Sequence, residues 1–323
     1  MTKNRKNGFF FNLKRTTRLN AKWIQRRFQR ITTPGLKGVP VVSVIRYFFK
    51  GIVNGAITTR ASSVAFSFFL ATVPTLIFIF TLIPYIPVAN FQDQLLSVIK
   101  GIMPMHAYQT VEATLIEVVT MKSSGLLSFG FLAALFFSHN GVSSLIDAFN
   151  ATYHAIETRT FIEQHIIAFL LTMILPFIVI LGIAIMFFSE HFLNLLNSWG
   201  FLKVNATMSI LLFGKWILVV LIFFVGISLV YYLAPAKKEK FRFFSPGALL
   251  ATILIIITSL GFSFYVNRFG QYNKFYGSLG GLIVFQIWLY FNAFGLILGF
   301  DLNASIRSAM NGHRKEINLQ IEK

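Results

Sequence analysis

The sequence predicts an all-α polytopic membrane protein with six transmembrane helices and an N-terminal amphipathic helix at the membrane interface. Six stretches of more than twenty residues each contain no Asp, Glu, Lys or Arg. A hydrocarbon core about 30 Å thick needs about 20 apolar residues in a helix, so each stretch is long enough to span it. The composition agrees, because 55% hydrophobic and 12% charged residues leave too little polar surface for a soluble chain of 323 residues. The stretches are residues 61–92, 123–146, 164–189, 216–236, 243–267 and 275–300.

The basic residues predict how the chain is divided and oriented. Of the 29 Lys and Arg residues, 14 lie in residues 1–60, and most of the others follow the second, fourth or sixth stretch, which places them on the same side. The positive-inside rule therefore predicts that both termini are cytoplasmic. We divide the chain into a basic cytoplasmic arm (1–38), a six-helix membrane domain (39–307) and a cytoplasmic tail (308–323).

The net charge of +18 predicts an anionic partner for the basic arm. Anionic lipid headgroups are one candidate and RNA is the other, because phosphate binding of this kind is indifferent to sequence. We favour lipid over nucleic acid, since the position of the charge beside the membrane already accounts for it. The oligomeric state is left open.

A helical pattern precedes the first span. Val44, Phe48 and Ile52 repeat at helical spacing, with Arg46 and Lys50 on the other face. Two interpretations fit this stripe: a helix lying in the membrane interface, or a helix whose apolar face packs against the bundle. Both place Arg60 where this helix turns into the first span.

Prolines interrupt two of the predicted spans and one loop. Pro74 and Pro176 fall inside the first and third spans, where we expect kinks that free backbone carbonyls. The loop 91–122 is long enough for helices that cap the outer end of the bundle, and Pro104 is expected to divide it.

The second span has a short apolar core followed by Ser138, His139, Asn140 and Gly141. The helix is expected either to break there, as in some transporter sites, or to continue as an ordinary span into a surface helix. Asp147 and Asn150 then lie on or beside the face opposite the apolar residues.

Catalytic and cofactor signatures are weak in this sequence. There is no cysteine, and no cluster of carboxylates or histidine pair of the kind a hydrolytic nuclease needs is visible. Thr160 and Glu163 fit a capping box, which gives Glu163 a structural role. The glycine-rich turn 276–281, with Gly277 as its hinge, lacks the ending of a phosphate-binding loop. We predict no enzyme activity, no metal and no cofactor.

Short motifs stand in a fixed order among the spans: Arg60, the 145–153 helix, Pro246-Gly247-Ala248, Tyr272-Asn273, Tyr276-Gly277-Ser278 and Leu302-Asn303-Ala304. With these motifs the chain resembles the YihY/BrkB family of bacterial inner-membrane proteins. The resemblance covers roughly residues 40–307. It implies a six-helix protein of the bacterial cytoplasmic membrane, once labelled a ribonuclease and also discussed in connection with transport and envelope lipids. Asp301 stands where family members tend to have Glu.

Polar residues in and beside the spans favour a transporter or a lipid- or amphiphile-handling protein, because intramembrane polar groups are costly. The alternatives are a membrane scaffold that recruits envelope partners through its basic arm, and a ribonuclease. We expect Asp301 to pair with Arg60, which either fixes the bundle or switches with protonation. The candidate cavity or gating residues, for a small amphiphilic substrate, are Arg60, Asp147, Asn150, Asn273, Tyr276, Asp301 and Asn303.

Overall fold

The described residues fold into helices, and six of these are long and apolar enough to cross a membrane. The computed structural model describes residues 40–87, 90–102, 112–113, 115–117, 119–152, 159–198, 205–236, 244–268 and 278–321. The helices are α1 (Val41–Asn54), α2 (Ile57–Leu82), α3 (Phe91–Ile102), α4 (Ser124–Asn150), α5 (Phe161–Ser198), α6 (Asn205–Leu233), α7 (Pro246–Arg268) and α8 (Ser278–Ile321). A 3₁₀ turn, Ile83–Tyr85, follows α2. This confirms the predicted all-α polytopic fold.

The helices pack as a chain of neighbours around α2 and α8. α2 packs along α4 and α8, α8 packs along α7, and α5 joins α4 to α6. The ends of α2, α4, α5, α6 and α7 nearest to the amphipathic helix α1 meet at one end of the bundle, which we call the inner end. The opposite end, beside α3, is the outer end.

The core lies towards the inner end. Phe149 and Phe300 stack with ring centroids 4.4 Å apart, and both are almost fully buried. Tyr231 meets each ring edge-on, and its hydroxyl donates a hydrogen bond to the Leu296 carbonyl at 2.5 Å. Aromatic pairs in these geometries contribute about 0.5–1.5 kcal/mol beyond their burial. The inner ends of α4 and α6 and the middle of α8 are thereby fixed to one another.

Of the two interpretations of the α1 stripe, packing against the bundle is confirmed, and the position in the membrane interface stays a prediction. Val44 is buried against Ile306 and Ala309 of α8, so one face packs against the bundle. Ile45, Phe49 and Val53 form the neighbouring stripe, and all three are exposed. With 44 residues, α8 is about 66 Å long, which exceeds a bilayer core and lets its C-terminal half serve as the support for α1.

Two expectations about the helices are corrected or refined. Of the two alternatives for Ser138–Gly141, the helix break is wrong and the ordinary span is confirmed, because α4 is one continuous helix. Gly141 instead gives close packing, since a β-carbon there would lie 3.3 Å from the ring of Phe68 on α2. Pro74 and Pro176 lie inside α2 and α5, where their kinks remain predictions. The boundary predicted at 307/308 falls inside α8, and both the arm 1–38 and Pro104 lie outside the described residues.

Candidate functional site

A buried ion pair joins the first and last spans at the inner end. Arg60 stands in the first turn of α2, and its Nη2 donates to Asp301 Oδ2 on α8 at 2.9 Å. The Asp301 side chain is 1% exposed and that of Arg60 is 8% exposed. This confirms the expected pairing, and it places both charges where ionised groups are tolerated only when paired and hydrogen-bonded.

The remaining polar atoms of the pair are also occupied. Arg60 Nη1 donates to the Ala148 carbonyl at 2.7 Å and to Thr152 Oγ1 at 3.1 Å, and Nε donates to the Gly55 carbonyl at 2.7 Å. Thr152 in turn donates to Asp301 Oδ1 at 3.0 Å. The network, which we call the inner lock, ties together the α1–α2 turn, the end of α4 and the middle of α8.

The conformation of the α1–α2 turn allows Arg60 to make these contacts. Ala56 has φ 46°, in the left-handed region that few residues other than glycine adopt, and Gly55 precedes it. A β-carbon on Gly55 would collide with the Gly51 carbonyl and would lie 3.0 Å from Arg60 Nη2. Glycine at 55 therefore lets the arginine fold back over the turn.

A second polar cluster holds the start of α7 against α8. Asn303 Oδ1 accepts a hydrogen bond from the Gly247 amide at 2.8 Å, and its Nδ2 donates to Ser245 Oγ at 3.0 Å. Ser245 Oγ also accepts from the Ala248 amide at 3.1 Å. Since the first amides of a helix lack partners within the helix, Asn303 and Ser245 together cap α7.

Asn150 and Asp147 have different surroundings, although both were predicted as site residues. Asn150 is buried and its Oδ1 accepts from the Ala236 amide at 3.0 Å, so it anchors the segment after α6. Asp147 is exposed and accepts a hydrogen bond from Gln164 of α5. Asn273, Tyr276 and Gly277 lie outside the described residues.

The structure thus gathers four of the predicted residues, Arg60, Asp301, Asn150 and Asn303, at the inner end. Their polar atoms bond to protein groups, and they hold the segments that close this end. The sequence interpretation missed Thr152, which bridges both members of the ion pair. Helical spacing could have identified Thr152, because it lies on the same face as Leu145 and Phe149, and that face is buried in the core.

A histidine pair joins α4 and α5 further towards the outer end. His139 Nε2 and His165 Nδ1 lie 3.0 Å apart, and the rings stack with centroids 5.2 Å apart. His139 Nδ1 and Ser143 Oγ are buried and have no hydrogen-bond partner within the part of the chain that the structure describes. Across those same residues, no group of three or more His, Asp or Glu is arranged to hold a metal ion.

The outer half of the bundle is packed unevenly. α2 and α4 stay close, since a β-carbon on Gly130 would lie 3.2 Å from the Phe78 backbone. α7 and α8 separate instead: among their described side chains none is fully buried in α7 beyond Thr252, or in α8 before Ala293. A cavity of about 480 Å³ lies between them.

Comparisons with known proteins agree with this architecture. The family model described as Virulence factor BrkB matches residues 48–320. The ribonuclease-like protein YfkH of Bacillus subtilis (strain 168) is 34% identical over 251 residues, which are 76% of this chain and 88% of the relative. A UPF0761 membrane protein of Pseudoalteromonas atlantica is 23% identical over 283 residues, covering 86% and 90% of the two chains. The UPF0761 membrane protein PBPRA3489 of Photobacterium profundum is 27% identical over 281 residues, covering 86% and 83%. No solved structure matches the chain significantly.

Proposed function

The chain belongs to the BrkB family of multi-pass membrane proteins, and from that premise we propose that it transports or otherwise handles lipids or other amphiphilic molecules. The observation that carries the proposal is the contrast between the two halves of the bundle. The inner end is held by buried polar networks, whereas α7 and α8 separate in the outer half around an apolar cavity. A bundle closed at one end and open to the side at the other suits a molecule that enters from the bilayer.

In this proposal the inner lock controls the closed end. Arg60, Asp301 and Thr152 hold α2, α4 and α8 together through charge-assisted hydrogen bonds, which are stronger than neutral ones. Asn150 and Asn303 hold the segments beside the lock. Any route for a polar headgroup to the inner face must part these contacts. Asn273 and Tyr276, which precede α8 in the sequence, are proposed as further cavity or gating residues.

We place the inner end and both termini in the cytoplasm of a bacterial cell, with the protein in the cytoplasmic membrane. The support is the distribution of Lys and Arg, of which 14 precede residue 61. The domain division into a basic arm, a membrane domain and a short tail is proposed on the same ground.

Anionic lipid headgroups are proposed as partners of the basic arm and α1. The exposed apolar stripe Ile45, Phe49 and Val53 runs beside Arg46 and Lys50, which are also exposed. A helix with this arrangement embeds its apolar face at the headgroup boundary while its cations attract anionic lipid. α1 is therefore proposed to lie in the cytoplasmic interface while its other face contacts α8.

The proposal makes the protein a carrier and not an enzyme. The carboxylates whose surroundings the structure describes near the inner end are engaged in structural contacts: Asp301 with Arg60, Asp147 with Gln164, and Glu163 with Thr160. The Bacillus subtilis relative is described as ribonuclease-like, and ribonuclease activity is the alternative to be tested.

Reconstitution tests the function directly. We would measure the rate at which phosphatidylglycerol with a fluorescent headgroup label crosses vesicle membranes that contain the purified protein. Wild type is expected to accelerate crossing relative to protein-free vesicles, and the double substitution Arg60→Met with Asp301→Leu, which removes the contacts that must part, is expected to accelerate it further. Asp93→Asn, an exposed carboxylate of α3, is the matched control and should leave the rate unchanged. A wild-type rate equal to that of protein-free vesicles, for this lipid and for single-chain amphiphiles, would refute the proposed transport. Release of labelled fragments from RNA by the same preparation would support the ribonuclease alternative.

A further inference from the structure

The separation of α7 and α8 begins at a tight crossing of small residues. A β-carbon on Gly299 would collide with the Gly247 carbonyl and lie 2.5 Å from the Tyr231 hydroxyl. One turn further out, a β-carbon on Gly295 would lie 3.2 Å from the Leu254 Cβ. Beyond Leu254 there is open space, because a β-carbon on Gly261 of α7 would meet no heavy atom within 4 Å.

Large aromatic residues occupy this space without filling it. Phe262 of α7 and Trp288 of α8 lie with ring centroids 5.8 Å apart, and the cavity of about 480 Å³ extends beside them to Tyr265, Ile287 and Phe291. This volume falls within the roughly 300–1,000 Å³ of small-molecule sites in proteins. We call this cavity the α7–α8 groove.

The position of the groove identifies the medium outside it. α7 from Pro246 to Tyr265 and α8 from Gly281 are both within candidate membrane spans. Ile287 and Phe291 are about half exposed, so the groove opens sideways into the hydrocarbon and not towards water. Tyr265 lies about 28 Å along the helix from Pro246, close to the thickness of the hydrocarbon core, so the groove belongs to the leaflet remote from the termini.

The lining decides which part of a molecule fits. It is almost wholly apolar, with hydroxyl groups only on Thr258 and Tyr265 among its residues. A polar solute would lose its hydrogen bonds there, at a cost of several kcal/mol for each unsatisfied group. A hydrocarbon chain has no such cost, and it gains dispersion contacts with the faces of Phe262 and Trp288.

We propose that the α7–α8 groove binds one acyl chain of a membrane lipid from the leaflet remote from the termini. The inference rests on the proposed function, since it names the lipid tail as the part of the substrate that the protein holds and the side from which it enters. Tyr265 stands at the end of the groove nearest to the headgroup layer, where the amphipathic side chain of tyrosine is favoured.

Photolabelling tests the groove in the full-length protein. The protein is reconstituted in phosphatidylethanolamine–phosphatidylglycerol vesicles containing a trace of phosphatidylglycerol with a diazirine in one acyl chain. After irradiation, mass spectrometry locates the labelled residues. Labels are expected to concentrate on the α7 and α8 residues of the groove, above the level on lipid-facing residues of α5 such as Phe177 and Ile180.

Two glycines provide a matched pair of variants. A β-carbon on Gly261, which lines the groove, or on Gly281, which does not, would have no heavy atom within 4 Å. Both positions therefore have room for a side chain. Gly261→Leu fills the groove and is expected to lower its labelling about tenfold, the ratio that ~1.4 kcal/mol of binding free energy produces. Gly281→Leu is expected to leave the labelling unchanged.

The possible outcomes test the acyl-chain site and the proposed transport separately. Labelling of the groove that equals the labelling of α5, or that Gly261→Leu does not change, would overturn the proposed acyl-chain site even if the vesicles still translocate lipid. Cross-links from the groove to a second copy of the chain in place of lipid would also overturn it. Specific groove labelling without any translocation would support the acyl-chain site and refute the proposed transport.

Discussion

Thr152 donates its hydroxyl proton to Asp301 Oδ1 while its oxygen accepts a hydrogen bond from Arg60 Nη1. The two distances are 3.0 and 3.1 Å. The hydroxyl therefore occupies the one oxygen of the carboxylate that the arginine leaves free, and it brings the end of α4 into an ion pair between α2 and α8. Because all three groups are buried, the loss of one leaves the others unsatisfied in a medium that cannot replace them.

The substitution Asp301→Asn is expected to lower the free energy of unfolding by about 3–5 kcal/mol, the usual cost of leaving a buried charge without its partner. The double substitution Arg60→Met with Asp301→Leu removes both charges and is expected to recover most of that loss. Thermal unfolding in detergent, followed by tryptophan fluorescence, measures both. If Asp301→Asn unfolds at the wild-type temperature, the pair does not stabilise the bundle.

Thr152→Val keeps the shape of the side chain and removes its hydroxyl. We expect a smaller loss than for Asp301→Asn, about 1–3 kcal/mol, because one oxygen of the carboxylate loses its donor while the ion pair persists. Thr152→Ser should retain most of the stability, since the hydroxyl remains. Equal stability of the valine and serine variants would show that the hydroxyl contributes nothing.

Gly299→Ala is expected to destabilise the protein strongly, because the added methyl group would meet the Gly247 carbonyl and the Tyr231 hydroxyl. A backbone carbonyl cannot move aside as a flexible side chain can, and overpacking of this kind typically costs about 1–3 kcal/mol. Gly281→Ala, in the same helix with open space around it, is the control and should be neutral. Yield of monodisperse protein and its unfolding temperature report the difference. Similar behaviour of the two variants would mean that α7 and α8 do not cross at Gly299.

The residues show which features could be predicted from the sequence. The six spans follow from charge-free length, and the capping box was recognisable because Thr160 and Glu163 stand three residues apart. Glu163 Oε2 accepts from the Thr160 amide at 3.0 Å, and Thr160 Oγ1 accepts from the Glu163 amide at 3.4 Å. The Arg60–Asp301 pair was predictable because Arg60 directly precedes the first apolar span and Asp301 directly follows the sixth, which places both charges on the same side of the membrane. In each case a rule of local sequence or of membrane topology allows few alternative structures.

Features that depend on a distant partner could not be predicted. Gly141 beside polar residues is compatible with a helix break or a continuous span when the chain is considered alone, and only Phe68 on another helix shows its packing role. Asn150 and Asn303 were expected as cavity or gating residues, and their hydrogen bonds to the amides of Ala236 and Gly247 could not be predicted. A sequence shows that an intramembrane polar group needs a partner, but only the packed bundle shows which one.

The absence of cysteine makes the orientation of the protein directly measurable, because a single introduced cysteine has no background. Ser123, which precedes α4 at the outer end, and Ala151, which follows α4 at the inner end, are both exposed. If the inner end is cytoplasmic, a membrane-impermeant maleimide added to intact cells should label Ser123→Cys, provided that any outer envelope has been made permeable. It should label Ala151→Cys only after the inner membrane is opened.

Because one continuous helix separates the two positions, they must lie on opposite sides of the membrane, so the pair is its own control. Labelling of Ala151→Cys but not Ser123→Cys in intact cells would reverse the proposed orientation and would place the basic arm outside the cytoplasm, against the positive-inside rule.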